Sequence, residues 1–137
     1  MRQEFLILAD RAEAANGKIF IHGGGVDRHL FNPSAEPPIQ LNADVALSIL
    51  TEWAETNSSH LMAVRVVDED DKPIWALEGQ FEVGRPPGAK AGQQFRQLIA
   101  IRGPIPMPGL GAYKMTLELD GTAQAPPFRF WLDPISI

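Results

Sequence analysis

The residues able to do chemistry are few, and the first of them are glycines beside a histidine. His22-Gly23-Gly24-Gly25 has the composition of an oxyanion loop, in which backbone N–H groups approach a developing negative charge. A hydrolase built on it needs a serine in a Gly-x-Ser-x-Gly elbow, then an acid and a histidine. Ser34, Ser48, Ser58, Ser59 and Ser136 all lack that frame, and the one histidine that follows any of them is His60. The stretch reads instead as a glycine-rich bend leaving a strand. His22, Asp27, His29 and His60 offer metal-binding side chains, but seven residues across three glycines is no standard ligand spacing. Asp68-Glu69-Asp70-Asp71 is the best cation candidate, since hard cations want several carboxylates. It lacks the EF-hand frame and reads as a solvated hairpin tip. No catalytic, cofactor or metal residue is assigned.

Contact chemistry is better represented. Gly84-Arg85-Pro86-Pro87-Gly88-Ala89-Lys90-Ala91-Gly92 is a stiff, non-periodic stretch that presents Arg85 and Lys90 to a partner or simply crosses between sheets. Trp131 stands with Arg129 on the polar side of the last strand. Exposed Trp and Arg recur at interface centres, so Trp131, Arg129 and Arg85 are the candidate contact residues. Trp53, in the polar Thr51–Ser59 connection, is expected to cap one end of the core.

The elements that must carry these residues have a period of two. Leu41, Ala43, Val45, Leu47 and Ile49 share one face. So do Met62, Val64 and Val66, then Trp75, Leu77, Phe81 and Val83, then Phe95, Ile99 and Ile101. Tyr113, Met115, Leu117 and Leu119 oppose Lys114, Thr116, Glu118 and Asp120, the cleanest alternation in the chain. Phe128, Phe130 and Leu132 close the series. One apolar and one wet face is the pattern of antiparallel sheets. Asn16-Gly17, Asp68–Pro73 and Asp120-Gly121 mark hairpins, and the proline pairs fall between strands. The first strand, Phe5-Leu6-Ile7-Leu8, is apolar on both faces, so it is central or covered by a loop or partner.

Composition sets the outer bounds. The chain has 137 residues, enough for one domain, residues 1–137, with a real core. The formal net charge is −5 with no basic tract, which argues against nucleic acid. No cysteine is present, which removes disulfides, thiol catalysis and Cys-ligated metals. The five apolar residues Phe5–Ala9 are too few to span a membrane, which takes about twenty. Charged Asp10 and Arg11 then spoil a signal-peptide reading, so a cytoplasmic location is expected.

Two stretches carry a resemblance. Leu6-Ile7-Leu8-Ala9-Asp10, Asn16-Gly17-Lys18-Ile19 and Gly23-Gly24-Gly25-Val26-Asp27-Arg28 resemble the opening of a family of small bacterial proteins of unknown function. Val66-Val67-Asp68-Glu69-Asp70 with Pro73-Ile74 is similar to its middle signature. That resemblance implies no activity, cofactor or site residue. Pro108-Gly109-x-Gly111-x-Tyr113, followed by Leu117-x-Leu119-Asp120-Gly121, resembles the penultimate strand of bacterial immunoglobulin-like domains.

The expected fold is all-β: a single immunoglobulin-like antiparallel β-sandwich of about eight strands, from the number of alternating runs. The expected role is a non-catalytic protein-interaction or assembly module, acting as a homodimer or with a protein partner through Trp131 or the first strand. The rival readings are a small-ligand binder with a pocket at one end, between the glycine-rich and Pro86-Pro87 loops, and a hydrolase using the His22 loop. No nucleic acid, membrane, metal or cofactor is expected.

Overall fold

Twelve strands and one 3-10 turn make up the protein in a computed structural model that describes residues 1–136. In chain order the strands are β1 (Arg2–Ala15), β2 (Lys18–Gly24), β3 (Arg28–Phe31), β4 (Ile39–Leu41), β5 (Asp44–Thr51), β6 (Ser59–Asp68), β7 (Pro73–Glu82), β8 (Phe95–Ile101), β9 (Ile105–Met107), β10 (Gly111–Leu119), β11 (Thr122–Ala123) and β12 (Phe128–Pro134). The all-β expectation holds.

The first sheet runs β2-β1-β5-β8, and the second runs β3-β12-β10-β6-β7 with β11 on β10. β4 and β9 form a small ladder of their own. Inward residues of both sheets meet in one apolar cluster. Leu8, Val45, Leu47 and Ile49 come from the first sheet; Val64, Val66, Met115, Leu117, Phe130 and Leu132 come from the second. Ile39, Leu41, Ile105 and Met107 of the small ladder join the same cluster. The alternation in the sequence thus reports a real inside and outside, with Tyr113, Met115, Leu117 and Leu119 all buried.

Two expectations need correction, and a third is narrowed to one of its alternatives. The strand count is twelve rather than eight, because β3, β4, β9 and β11 have two to four residues each and are too short to show a period. The pairing is not wholly antiparallel, since β3 runs parallel to β12, with Arg28 beside Trp131 and Leu30 beside Asp133. The second apolar face of the first strand is covered by the chain itself. β5 separates β1 from β8 within the sheet, yet Ala14–Lys18 line a shallow depression together with Arg96–Leu98 of β8. The far half of the β1–β2 hairpin therefore lies across the sheet's outer face. Gly24 sits so close to the Ile7 and Ile21 side chains that a Cβ there would overlap Ile21. This layer explains why outward-facing Ala46 and Ser48 of β5 are as buried as the core.

Asn16 and Gly17 both have positive φ, 54° and 72°, as a type I′ hairpin turn requires. Asp120 and Gly121 repeat that geometry at 48° and 81°.

Candidate functional site

The outer face of the second sheet carries two of the three candidate contact residues, Arg129 and Trp131. Outward positions along β12 are Arg129, Trp131 and Asp133, because the intervening Phe130 and Leu132 are fully buried. Trp131 is 40% exposed, with Arg28 of β3 beside it on one side and Ala112 of β10 on the other. Leu30, 53% exposed, lies next to Asp133, and exposed Ile135 follows the strand. The structure thus gathers Trp131, Leu30 and Ile135 at one end of this sheet.

Charges frame the apolar residues. The Arg28 guanidinium binds the Asp133 carboxylate at 2.7 Å. Arg129 is exposed and stands directly opposite Lys114 in the β10–β12 register. Like charges directly opposed across a ladder are unfavourable. Lys114 has partial relief from Asp71 at 3.6 Å, whereas Arg129 forms no ion pair among the described residues.

Arg85 lies elsewhere and is occupied. Its guanidinium stacks 3.6 Å above the Trp53 ring and donates to Thr56 Oγ1 at 2.7 Å and to the Trp53 carbonyl at 3.0 Å. Trp53 in turn packs on Phe95, so this trio closes one end of the core, the role expected of Trp53. The Pro86-Pro87 loop therefore sits at the Thr51 end of β5, where Phe95 pairs. The glycine-rich loop sits at the opposite end, since Ala9 pairs with both Gly24 and Asp44. A pocket bounded by both loops does not exist.

The His22 loop is a bend. Gly23 and Gly25 have positive φ, a Cβ at Gly23 would strike the Asp10 carboxylate, and the Gly25 N–H donates to the Leu8 carbonyl at 2.8 Å. That amide is not free to receive an oxyanion. His22, His29 and His60 lie on β2, β3 and β6, and among the described residues no three His, Asp or Glu side chains converge as a metal site needs. One Asp68 carboxylate oxygen accepts the N–H groups of Asp70 and Lys72 at 2.9 Å each, so it shapes the turn.

One constellation escaped the sequence reading. His60 Nδ1 lies 2.8 Å from Asp120 Oδ2, and its Nε2 lies 3.2 Å from Ser58 Oγ, the outline of an acid–base–nucleophile set. The same Nε2 is only 2.6 Å from the Glu55 carbonyl oxygen. A carbonyl can only accept, so Nε2 carries a proton and cannot take one from Ser58. Both ring nitrogens face acceptors, and the Glu55 carbonyl and Asp120 carboxylate raise the imidazole's pKa above its ordinary value. Ser58 Oγ also reaches the Glu55 carbonyl, at 3.1 Å. The cluster is a cationic clamp that ties the 3-10 turn Trp53–Glu55 to the β10–β11 turn. Nothing in the spacing of residues 55, 58, 60 and 120 announces it, because β6 and β10 meet only through long-range register.

Several sheets packed around one apolar cluster make this a β-rich chain. The sequence model of a family of unknown function, DUF6941, matches residues 4–127, and the chain belongs to that family. No curated protein matches it. Among the described residues no helix is long and apolar enough to cross a membrane.

Proposed function

We propose that the chain is a non-catalytic protein-interaction module with an immunoglobulin-like fold, binding a partner through the outer face around Trp131. Three features support the fold reading. The set β1-β5-β8 faces the set β7-β6-β10-β12, the two-sheet order of immunoglobulin domains. β3 crosses to the second sheet and pairs with its last strand. Tyr113, near the start of the penultimate long strand, donates its hydroxyl proton to the Gly109 carbonyl at 2.6 Å, as a tyrosine corner does.

The observation that carries the functional reading is the exposed Trp131 beside the opposed cations Arg129 and Lys114. Burying an indole under a partner gains apolar area, and an acidic rim on that partner relieves the Arg129–Lys114 repulsion. The favoured partner is therefore a protein surface with an apolar centre and Asp or Glu at its edge. The chain's own net charge of −5 makes a general attraction to acidic proteins a poor alternative; the local basic edge must do the selecting. A pull-down from the native host with mass spectrometry should yield a partner retained by wild type. Trp131→Ala should weaken that complex by about 2 kcal/mol or more, the scale of an interface hot spot. Arg129→Glu should slow association and reduce its salt dependence. A partner that binds both variants as wild type removes this face from the reading.

A further inference from the structure

β7 is a sheet edge whose usual protections are confined to its first residues. Four strands end the two large sheets: β2, β8, β3 and β7. β7 is the longest at ten residues, whereas β3 has four and β2 and β8 seven each. Natural edges are blunted by shortness, proline, lysine or an inward charge. In β7 the only proline is Pro73 and the one register shift falls beside it, between Pro73 and Trp75; beyond that end there is no lysine, and the inward positions Trp75, Leu77, Gly79 and Phe81 hold no charge.

The inward face of β7 also overhangs the opposite sheet. Leu77 pairs with Val64, which is fully buried, yet Leu77 itself is 40% exposed. Gly79 pairs with buried Met62, and a Cβ built on Gly79 meets nothing within 4 Å. Trp75 and Phe81 pack partly against the core, but Leu77 and Gly79 between them are uncovered, and an open apolar stretch beside unpaired backbone calls for another strand.

We propose that this strand is β7 of a second copy, paired antiparallel about a two-fold axis through Leu77. The sequence is self-complementary in that register. Leu77 meets the partner copy's Leu77, and Trp75 lies across from its Gly79 on both sides of the axis. An aromatic across from an edge glycine fills the space the glycine leaves. On the outer face Ala76 meets Glu78 on both sides of the axis, so no like charges stand directly opposed. The two Glu78 carboxylates are then diagonal neighbours, and each is already paired with its own Arg65 at 2.8 Å. A register centred on Glu78 would oppose two carboxylates directly. A foreign strand could take the same edge, but only a second copy supplies this doubled Trp–Gly match by symmetry.

The axis is normal to the sheet, so the two six-stranded second sheets fuse into one of twelve strands. The two Trp131 patches remain open on the same outer surface, seven strand spacings apart, about 34 Å. The inference does not rest on the reading of Trp131. If both hold, the dimer is bivalent for its partner.

Sedimentation equilibrium of the full chain from low to high micromolar concentration tests it. Wild type should be a dimer at the upper end. Gly79→Lys has room in the monomer but places charge under the partner copy's Trp75, and Leu77→Lys places two charges on the axis. Each should raise the dimer dissociation constant at least tenfold with the far-ultraviolet spectrum unchanged. Trp131→Ala should leave the dimer intact. A strictly monomeric wild type overturns the proposal, as does a dimer that survives whichever of the two β7 variants folds. A dimer lost in Trp131→Ala and kept in the β7 variants assigns self-association to the other end of the sheet and overturns it too.

Discussion

His60 shows what a single buried imidazole contributes when every face of it has a partner. Its ring is almost fully enclosed, stacks near Phe81, and meets Glu55 and Asp120 at its two nitrogens. Because the folded pKa is raised above the unfolded value of about 6.5, its stabilisation is fully present below that pH and is lost as pH rises through the folded pKa. Asp120 behaves in the opposite sense. The Leu61 N–H and then His60 lower its pKa, so its contribution is present above the ordinary carboxylate range and is lost in acid. His29 opposes His60, since burial lowers its pKa and stability from it falls as pH drops. Wild type alone therefore mixes two histidines. Asp120→Asn separates them: asparagine tolerates the positive φ at this turn and keeps an oxygen for the Leu61 N–H, while the charged oxygen facing His60 becomes an NH2. Urea midpoints measured from pH 5 to 9 should show a wild-type advantage over Asp120→Asn that shrinks as the medium becomes alkaline. An advantage constant across that range would remove the imidazolium from the account.

At the scale of elements, what the sequence reveals depends on how completely one face is buried. β10 shows its alternation plainly because it is central, with β12 and β6 on either side and the core beneath. Leu41 to Ile49 reads as one half-buried strand, but Leu41 ends β4 in the small ladder, and β5 is buried on both faces, since a hairpin far from it in sequence lies over Ala46 and Ser48. No local pattern encodes that layer; the two apolar faces of Phe5–Leu8 were its only trace. Asp10–Ala15, rich in helix formers, is strand because its Ala12 N–H donates to the buried Asp44 carboxylate and its far end pairs with β2. Turn chemistry was more legible than the short strands, because positive φ selects residue types directly. Gly17→Val tests this, since a β-branched residue at φ 72° is strained whatever the space around it. The expected loss is roughly 1–3 kcal/mol, read as a lower denaturation midpoint. An unchanged midpoint would mean that the hairpin holds its shape without that turn.

The candidate contact residues follow the same logic at the level of the whole molecule. The outward placement of Trp131 and Arg129 is legible because both stand on the polar side of their strand's alternation. Arg85 was misleading as a free cation, since its stacking on Trp53 depends on which loops the fold brings to the Thr51 end. The apolar cluster joins β1, β5, β6, β10, β12 and the β4–β9 ladder without a break, and the chain crosses between sheets repeatedly to build it. Neither sheet has an apolar face of its own to keep if the other leaves. Loss of one sheet would expose Val64, Met115, Leu117 and Phe130 together, so partial structures carry a large solvation penalty. Unfolding should therefore be a single cooperative transition. The three tryptophans report on separate places, Trp53 at the end of the core, Trp75 on the β7 edge and Trp131 on the outer face. Their fluorescence and the far-ultraviolet signal should trace the same curve in urea. If fluorescence moves first and Trp75→Phe abolishes the lead, the β7 edge opens ahead of the rest, and cooperativity stops at β6. If the lead survives that change, the single core is not the unit that unfolds.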